Sequence, residues 1–582
     1  MKKLFIVILS IVFTNSFIAQ NDYTRKRLRI KDQKDERLIN LEKYSQLEKL
    51  EFANGITDFP NVFSKLDKLN TLIISNNGIS SFPNSILGGK NLIDLRIYSE
   101  KNILQLPYEI DKFQFLTNLH IENTGIKELP NTIGNLSKLK SIWLSDNDMQ
   151  NLPDEFCKLK NLEELYLSGR GYSGETRRRL STLPNCFGEL YSLKELYLSE
   201  HDLAHLPSSF SDLKSLERLE LEGCKNLTAL PGNFGKLNSL KFLSIESVPL
   251  KNLPIDFANL NNLKELNLTS TSLTALPDNF GKMNNLKKLV VEGGYREKGE
   301  VYVQNGGISA LPKSFSELTN LDSCVITSHA ISELPEDLWK LSNLKHLELS
   351  SNKLTTFPES FGKSLNLISL KADNNEIIKL PISFSQLRNL KELDLMNNKL
   401  NELPSNFGEL VNLEVLSLSG NDLTQLPDLS KCSKIKELDL HANQFKDFPK
   451  TISSLISLET LRISYNYLTE LDESIGNLKN LKELIIGSVG SNPLRKLPES
   501  ISRLQKIEKI YANNCELESL PESIVNLKQL EILDLINNKI SKLPKSIKKL
   551  KKLEVLNLKG NPISEEEKAR LLKELPNCKI TF

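Results

Sequence analysis

The chain of 582 residues has almost no long apolar run. The one that stands out, Leu4 to Phe13, is about ten residues long, against the roughly 20 that a helix needs to cross a bilayer. Charge of one sign is missing too. Lys and Arg total 75 and Asp and Glu 73, so the composition carries no electrostatic footprint for nucleic acid or an anionic membrane. Cysteine is scarce, and its seven copies (157, 186, 224, 324, 432, 515, 578) stand singly. Such a set is a poor disulfide framework, and no Cys or His pairs have zinc-finger spacing. No Ser/His/Asp or paired-carboxylate arrangement singles itself out, so catalytic residues, metals and cofactors are all expected to be absent.

Lys2 and Lys3, the apolar run and a polar stretch ending at Ala19 have the pattern of a secretory signal peptide, residues 1–19. Removing it leaves no transmembrane segment, and the mature chain is expected to be secreted or periplasmic. Proline dominates the rest. Of 24 prolines, 20 follow Leu or Phe in steps that run from Pro60 through Pro83 and Pro107 to Pro544, and Asp472 fills the one gap. Most intervals are 23 residues. A fixed period of this size marks stacked supersecondary units, none able to bury its apolar side alone.

One unit reads Leu390-Lys-Glu-Leu393-Asp-Leu395-Met-Asn-Asn398-Lys-Leu400-Asn-Glu-Leu403-Pro404, with a return through Phe407-Gly408-Glu-Leu410. These residues resemble the leucine-rich-repeat family, in its 23-residue Leu-Pro type and of an exported, bacterial-looking kind. The resemblance covers about residues 47–582. It implies an α/β solenoid, a right-handed horseshoe with one long parallel β-sheet on its concave face. At about 4.8 Å per strand, 21 strands would extend on the order of 100 Å. Residues 20–46 are read as an N-terminal cap, 47–558 as about 21 repeats, and 559–582 as a C-terminal cap of one helix and a short strand. Leu393 and Leu395 alternate with outward Asp394, as in a strand with one buried face. In this family an Asn three residues after the last strand Leu turns inward to bond backbone of adjacent coils. Here Asn77, Asn147, Asn352, Asn375, Asn398, Asn421, Asn443, Asn466, Asn538 and Asn561 hold that slot. Cys224 and Cys515 take it as well, while Thr124, His201, Val248, Thr271 and His329 depart from it, so the ladder is expected to be less regular in the first half. Cys157 and Cys186 lie in neighbouring repeats but at different repeat positions, so no bridge is expected between them.

Three intervals are long, with extra segments at Gly169–Arg179, Gly293–Gly307 and Gly487–Pro493, all just after a strand. Insertions on one edge are a common place for binding loops. Tyr172 and Arg177 in the first, and Tyr295 and Arg296 in the second, are candidate ligand contacts, against the plainer reading of tolerated loop variation. Two motifs are discounted. Gly169-Arg-Gly171-Tyr-Ser-Gly174 spells a dinucleotide fingerprint, but no helix follows it. His201-Asp-Leu-Ala-His205 imitates a zinc-protease motif, but Leu203 is a core position and no helix can run there.

The remaining candidate is the outward column of the sheet. From Arg96 it runs through His120, Trp143, Tyr166 and Tyr197, four consecutive rings expected to form an exposed stripe, with Glu164, Glu195, Glu222 and Glu246 beside it. Aromatics are enriched in binding hot spots. The plainer reading is a ladder of rings that only stabilises the sheet. The expected function is binding of a protein or peptide ligand without catalysis. A carbohydrate-binding or adhesion role at the cell envelope is the alternative, since Trp and Tyr also stack on sugars, and a purely structural spacer is a third reading.

Overall fold

The computed structural model describes residues 22–75, 77, 79, 81–98, 104–169, 179–297, 300–302, 307–488 and 492–582. They form two compact units, the first reaching Leu286 and including Tyr295–Tyr302, the second comprising Lys287–Gly294 and Val303–Phe582.

The parallel strands of the first unit are β1 (Arg27–Ile30), β2 (Lys49–Ala53), β3 (Thr71–Ser75), β4 (Asp94–Tyr98), β5 (Asn118–Glu122), β6 (Ser141–Trp143), β7 (Glu164–Ser168), β8 (Glu195–Ser199), β9 (Arg218–Glu222), β10 (Phe242–Glu246) and β11 (Glu265–Asn267). Each pairs with the next in a register that puts equivalent repeat positions side by side, so that Leu165 meets Leu196 and Tyr166 meets Tyr197. Strict alternation sends Leu165 and Leu167 into the core and leaves Glu164, Tyr166 and Ser168 half-buried on the outer face. The second unit repeats the scheme, with Glu392–Asp394 paired in parallel to Val415–Ser417.

The return legs are short 3-10 turns. Pro207 at φ −62° and ψ 152° leads into the turn Ser208–Asp212, where its fixed φ fits and its missing N–H costs no ladder bond. Asp472, the one anchor without proline, adopts φ −68° and ψ 146° and accepts a hydrogen bond from the Ser474 backbone N–H. A spine of buried rings runs behind the first unit's turns, Phe187 to Phe210 to Phe234 to Phe257, with centroids 6.0, 6.4 and 6.0 Å apart. Among the described residues the only α-helix is Glu565–Glu574, capped by Ser564 accepting from the Glu567 N–H. The strand Lys579–Thr581 follows it and pairs with Val555–Asn557. The expected solenoid architecture is what the chain adopts, each repeat pairing a parallel strand with a return leg that is most often a 3-10 turn.

The asparagine ladder is built as expected. Asn398 donates to the carbonyls of Ala372 and Leu395, both at 3.0 Å, and accepts from the Ile377 N–H at 3.0 Å. Asn492 belongs to it too: fully buried, it donates to Ile463 and Ile486 carbonyls at 2.9 Å. The third insertion is thus displaced to the residues before Asn492, which the sequence spacing had hidden. His329 replaces the ladder amide in part, with Nδ1 accepting from the Ile308 N–H at 3.3 Å. His201 sits buried in the same slot with neither ring nitrogen in a well-formed hydrogen bond.

One expectation is overturned. Cys157 and Cys186 form a disulfide, with Cα atoms 5.9 Å apart. Cys157 lies one residue after Phe156 in its coil and Cys186 one before Phe187 in the next. A 3-10 turn advances only about 2.0 Å per residue, so the offset in register still brings the two side chains together.

Candidate binding surface on the first unit

Neighbouring strands place one residue of each coil in a column, and the pairings Arg96 to His120, His120 to Trp143, Trp143 to Tyr166 and Tyr166 to Tyr197 put the five predicted residues in consecutive order. The rings stack. Centroids lie 5.1 Å apart for His120 and Trp143, 3.9 Å for Trp143 and Tyr166, and 4.3 Å for Tyr166 and Tyr197, with interplanar angles of 6°, 27° and 10°. The stripe is therefore not fully exposed. His120 is buried at 9% exposure, and Trp143, Tyr166 and Tyr197 are half-buried. Strand spacing of about 4.8 Å is close to aromatic stacking distance, so flat side chains in one column cover each other's faces and offer edges to solvent.

The stack continues into a residue that the column alone does not predict. Arg218, two residues before the column position Glu220 on its strand, lies 5.8 Å from the Tyr197 ring centroid and 3.6 Å from that of Phe242. Its guanidinium thus bridges the stripe to a further ring by cation–π contact. At the other end Arg96 donates from Nε to Asp94 at 3.0 Å and from Nη2 at 2.8 Å. Reading the flanking column as closely as the central one would have found both Arg218 and Phe242.

Polar edges are tied to carboxylates. The Trp143 indole N–H donates to Ser141 Oγ at 3.1 Å, and that hydroxyl donates to Glu164 at 2.9 Å. The hydroxyls of Tyr166 and Tyr197 both donate to one oxygen of Glu195, at 3.3 and 3.1 Å. Burial, then the adjoining Tyr197 and Glu195, raise the Tyr166 pKa far above the ordinary phenol value. Burial, aided by the charge on Arg96, lowers that of His120, so the imidazole in the stack is neutral near pH 7. Arg96, His120, Trp143 and Glu164 also line a shallow depression of about 330 Å³.

The other candidates separate. Tyr172 and Arg177 lie outside the described residues. Tyr295 and Arg296 belong to an antiparallel hairpin in which they face Tyr302 and Val301, and not to the parallel sheet. No helix runs through His201–His205.

Models of leucine-rich repeats match this chain along most of its length: a "Leucine-rich repeat region" at 90–175, "R13L1/DRL21 LRRs" at 179–248, "Leucine Rich Repeat" at 343–364, 389–410 and 457–478, "Leucine Rich repeats (2 copies)" at 411–453 and "Leucine rich repeat" at 505–563. Among solved structures, a leucine-rich-repeat protein of Leptospira interrogans is 32% identical, with 69% of this chain and 93% of that one covered and a TM-score of 0.56. The plant peptide hormone receptor RGFR1 in complex with RGF2 shares the fold at 20% identity, with 96% of both chains covered and a TM-score of 0.56. A match to adenylate cyclase of Schizosaccharomyces pombe, 36% identical over 128 residues, spans 21% of this chain and only 8% of the cyclase. With its period, its asparagine ladder and its parallel strands in repeat register, the chain belongs to the leucine-rich-repeat family.

Proposed function

We propose that this protein is an exported, non-enzymatic scaffold that binds a protein or peptide ligand on the outer face of β4 to β10. In this reading residues 1–19 are removed on export, and the segments 20–46 and 559–582 close the two ends of the repeat stack. The observation that carries it is the row of half-buried rings, His120 to Tyr197 and on to Phe242, on a sheet face otherwise lined with polar side chains. Large rigid aromatics give much contact area for little entropy loss and are the residues that concentrate binding energy. The fold it shares with a receptor solved with a peptide hormone supports the same reading. The Cys157–Cys186 disulfide supports export, since such bonds persist in oxidising compartments. The alternative, a carbohydrate-binding or adhesion role, is disfavoured: a sugar stacks on a ring face, and both faces of Trp143 and Tyr166 are covered by their neighbours.

The test is chemical cross-linking capture with the mature chain, run beside Trp143→Ala/Tyr166→Ala and beside a Ser417→Ala control. A partner held by wild type and control and lost from the double variant supports the reading. A partner held equally by all three refutes it.

A further inference from the structure

We infer that the lysine-rich return leg before the strand Val555–Asn557, from Lys545 to Lys552, docks the protein on an anionic phospholipid surface. This goes beyond the ligand face proposed above, which lies on the first unit, and does not depend on it.

The leg reads Pro544-Lys-Ser-Ile547-Lys-Lys-Leu550-Lys-Lys-Leu553. Ile547, Leu550 and Leu553 are buried, and Lys545, Lys548, Lys549, Lys551 and Lys552 are all exposed. The core positions therefore hold the lysines outward around the short 3-10 turn Ile547–Lys549. The legs of the three preceding coils show what folding alone requires at these places. Where the last leg has Lys545 they carry Glu473, Glu499 and Glu522; for Lys548 they carry Gly476, Ser502 and Val525, and for Lys552 Asn480, Lys506 and Gln529. Over the ten residues after each Leu-Pro step or its Asp472 substitute, every other leg stays within two charges of neutral. Five lysines against Glu554 alone bring this one to +4.

Elsewhere in the second unit, cations of the return legs are answered by carboxylates of neighbouring coils, Arg388 and Lys431 by Glu409 and Lys450 by Asp472. The last leg is not answered. None of its five lysines is in a salt bridge with a described residue, and Lys552 donates instead to Gln529 Oε1 at 2.6 Å. The helix Glu565–Glu574, which packs against Leu543, uses most of its acids within itself: Arg570 takes Glu567 and Glu574, and Lys568 takes Glu565. Glu522, Glu554 and Glu566 are the other acids nearby in the chain, and none of them pairs with a lysine of the leg. Five like charges within eight residues repel one another, a cost to folding that a facing layer of negative charge would remove.

The residue types say what kind of negative charge fits. Between Ile540 and Ile563 the chain has no Arg, no His and no aromatic residue. Without guanidinium forks there is no bidentate grip on a single phosphate, and without rings there is no platform for the bases of a single strand. What remains is a row of compact charges on long flexible stems, which can meet a plane of phosphates without a fitted pocket. Such attraction adds up lysine by lysine and fades within a Debye length of the surface. The near-neutral composition argues against an electrostatic footprint for the chain as a whole, and it hides this one because the excess is confined to a single leg.

The test is co-sedimentation of the full mature chain with vesicles of phosphatidylcholine, alone or mixed with phosphatidylglycerol, at low and at physiological salt. Binding is expected to the mixed vesicles only, and to weaken as salt is raised. Lys548→Gln/Lys549→Gln/Lys551→Gln/Lys552→Gln should lower the partition coefficient at least about a hundredfold, while the same four sites changed to Arg should keep it. Lys90→Gln/Lys214→Gln/Lys236→Gln/Lys282→Gln removes equal charge from four separate legs and should leave binding nearly unchanged. All eight side chains are exposed, so every variant is expected to fold, and thermal unfolding checks that it does. No binding to the mixed vesicles, equal binding to the neutral ones, loss in the Arg variant, or equal loss in the dispersed variant would overturn the inference. A labelled DNA duplex retained by a chain that the vesicles do not hold would assign the leg to nucleic acid instead.

Discussion

The indole of Trp143 and the phenol ring of Tyr166, held on adjacent strands, lie with centroids 3.9 Å apart. Each covers a face of the other, so the pair contributes to folding as well as offering a surface. Replacing both by Ala is expected to lower stability by about 1 to 3 kcal/mol through the lost stacking while the chain still folds. Ligand affinity should fall by at least about 2 kcal/mol, roughly thirtyfold. Thermal unfolding and a binding titration on the same samples separate the two effects. Unaltered affinity would leave the rings a structural ladder.

Asn398 is buried and bonds the Ala372 carbonyl and Ile377 N–H of the preceding coil and the Leu395 and Met396 carbonyls of its own. Asn398→Leu removes these bonds and leaves backbone groups unpaired, at an expected cost of about 1 to 3 kcal/mol. Denaturant unfolding would read it as a lower midpoint, and an unchanged midpoint would count against the ladder.

Acid should weaken the fold through two histidines. Burial pushes the imidazoles of His201 and His329 down to about 4, below the ordinary 6.5. Between those values the unfolded chain binds protons that the folded chain refuses, so stability rises with pH there and is lost as pH falls from about 6.5 towards 4. The loss is about 3 kcal/mol for each. Denaturant midpoints at pH 7 and pH 4.5 should diverge more in wild type than in His201→Asn/His329→Asn. Equal divergence would mean that neither histidine carries the effect.

Reducing the Cys157–Cys186 bond, or replacing both residues by Ser, should cost about 3 to 4 kcal/mol for a loop with a sequence separation of 29 residues. Peptide mapping under non-reducing conditions would show the linked pair. Two free thiols in protein purified under oxidising conditions would contradict the bond.

The repeat period, strand register and ladder could be read in advance because each is a short-range pattern repeated many times, so that Leu393, Leu395 and Asn398 declare their roles by spacing alone. The stripe was legible for the same reason, since a column is one position taken repeat by repeat. Its burial was not. Whether Trp143 shows a face or an edge depends on strand spacing and on the rings beside it, and a single position carries neither. Arg218 was missed because it reaches Tyr197 from a flanking column, and the disulfide because two turn positions meet out of register. Asn492 was hidden behind an insertion that shifts it from its expected distance after the strand.

The central claim is that ligand is held against the aromatic column of the first unit, and Trp143 can report on this directly. The chain has two tryptophans, so Trp339→Phe leaves Trp143 as the only indole. Its emission should be followed as the partner recovered by cross-linking capture is titrated in. The account predicts a saturable change in Trp143 emission whose midpoint matches that of binding measured by anisotropy. Saturating binding with the emission unchanged would place the ligand elsewhere and contradict it.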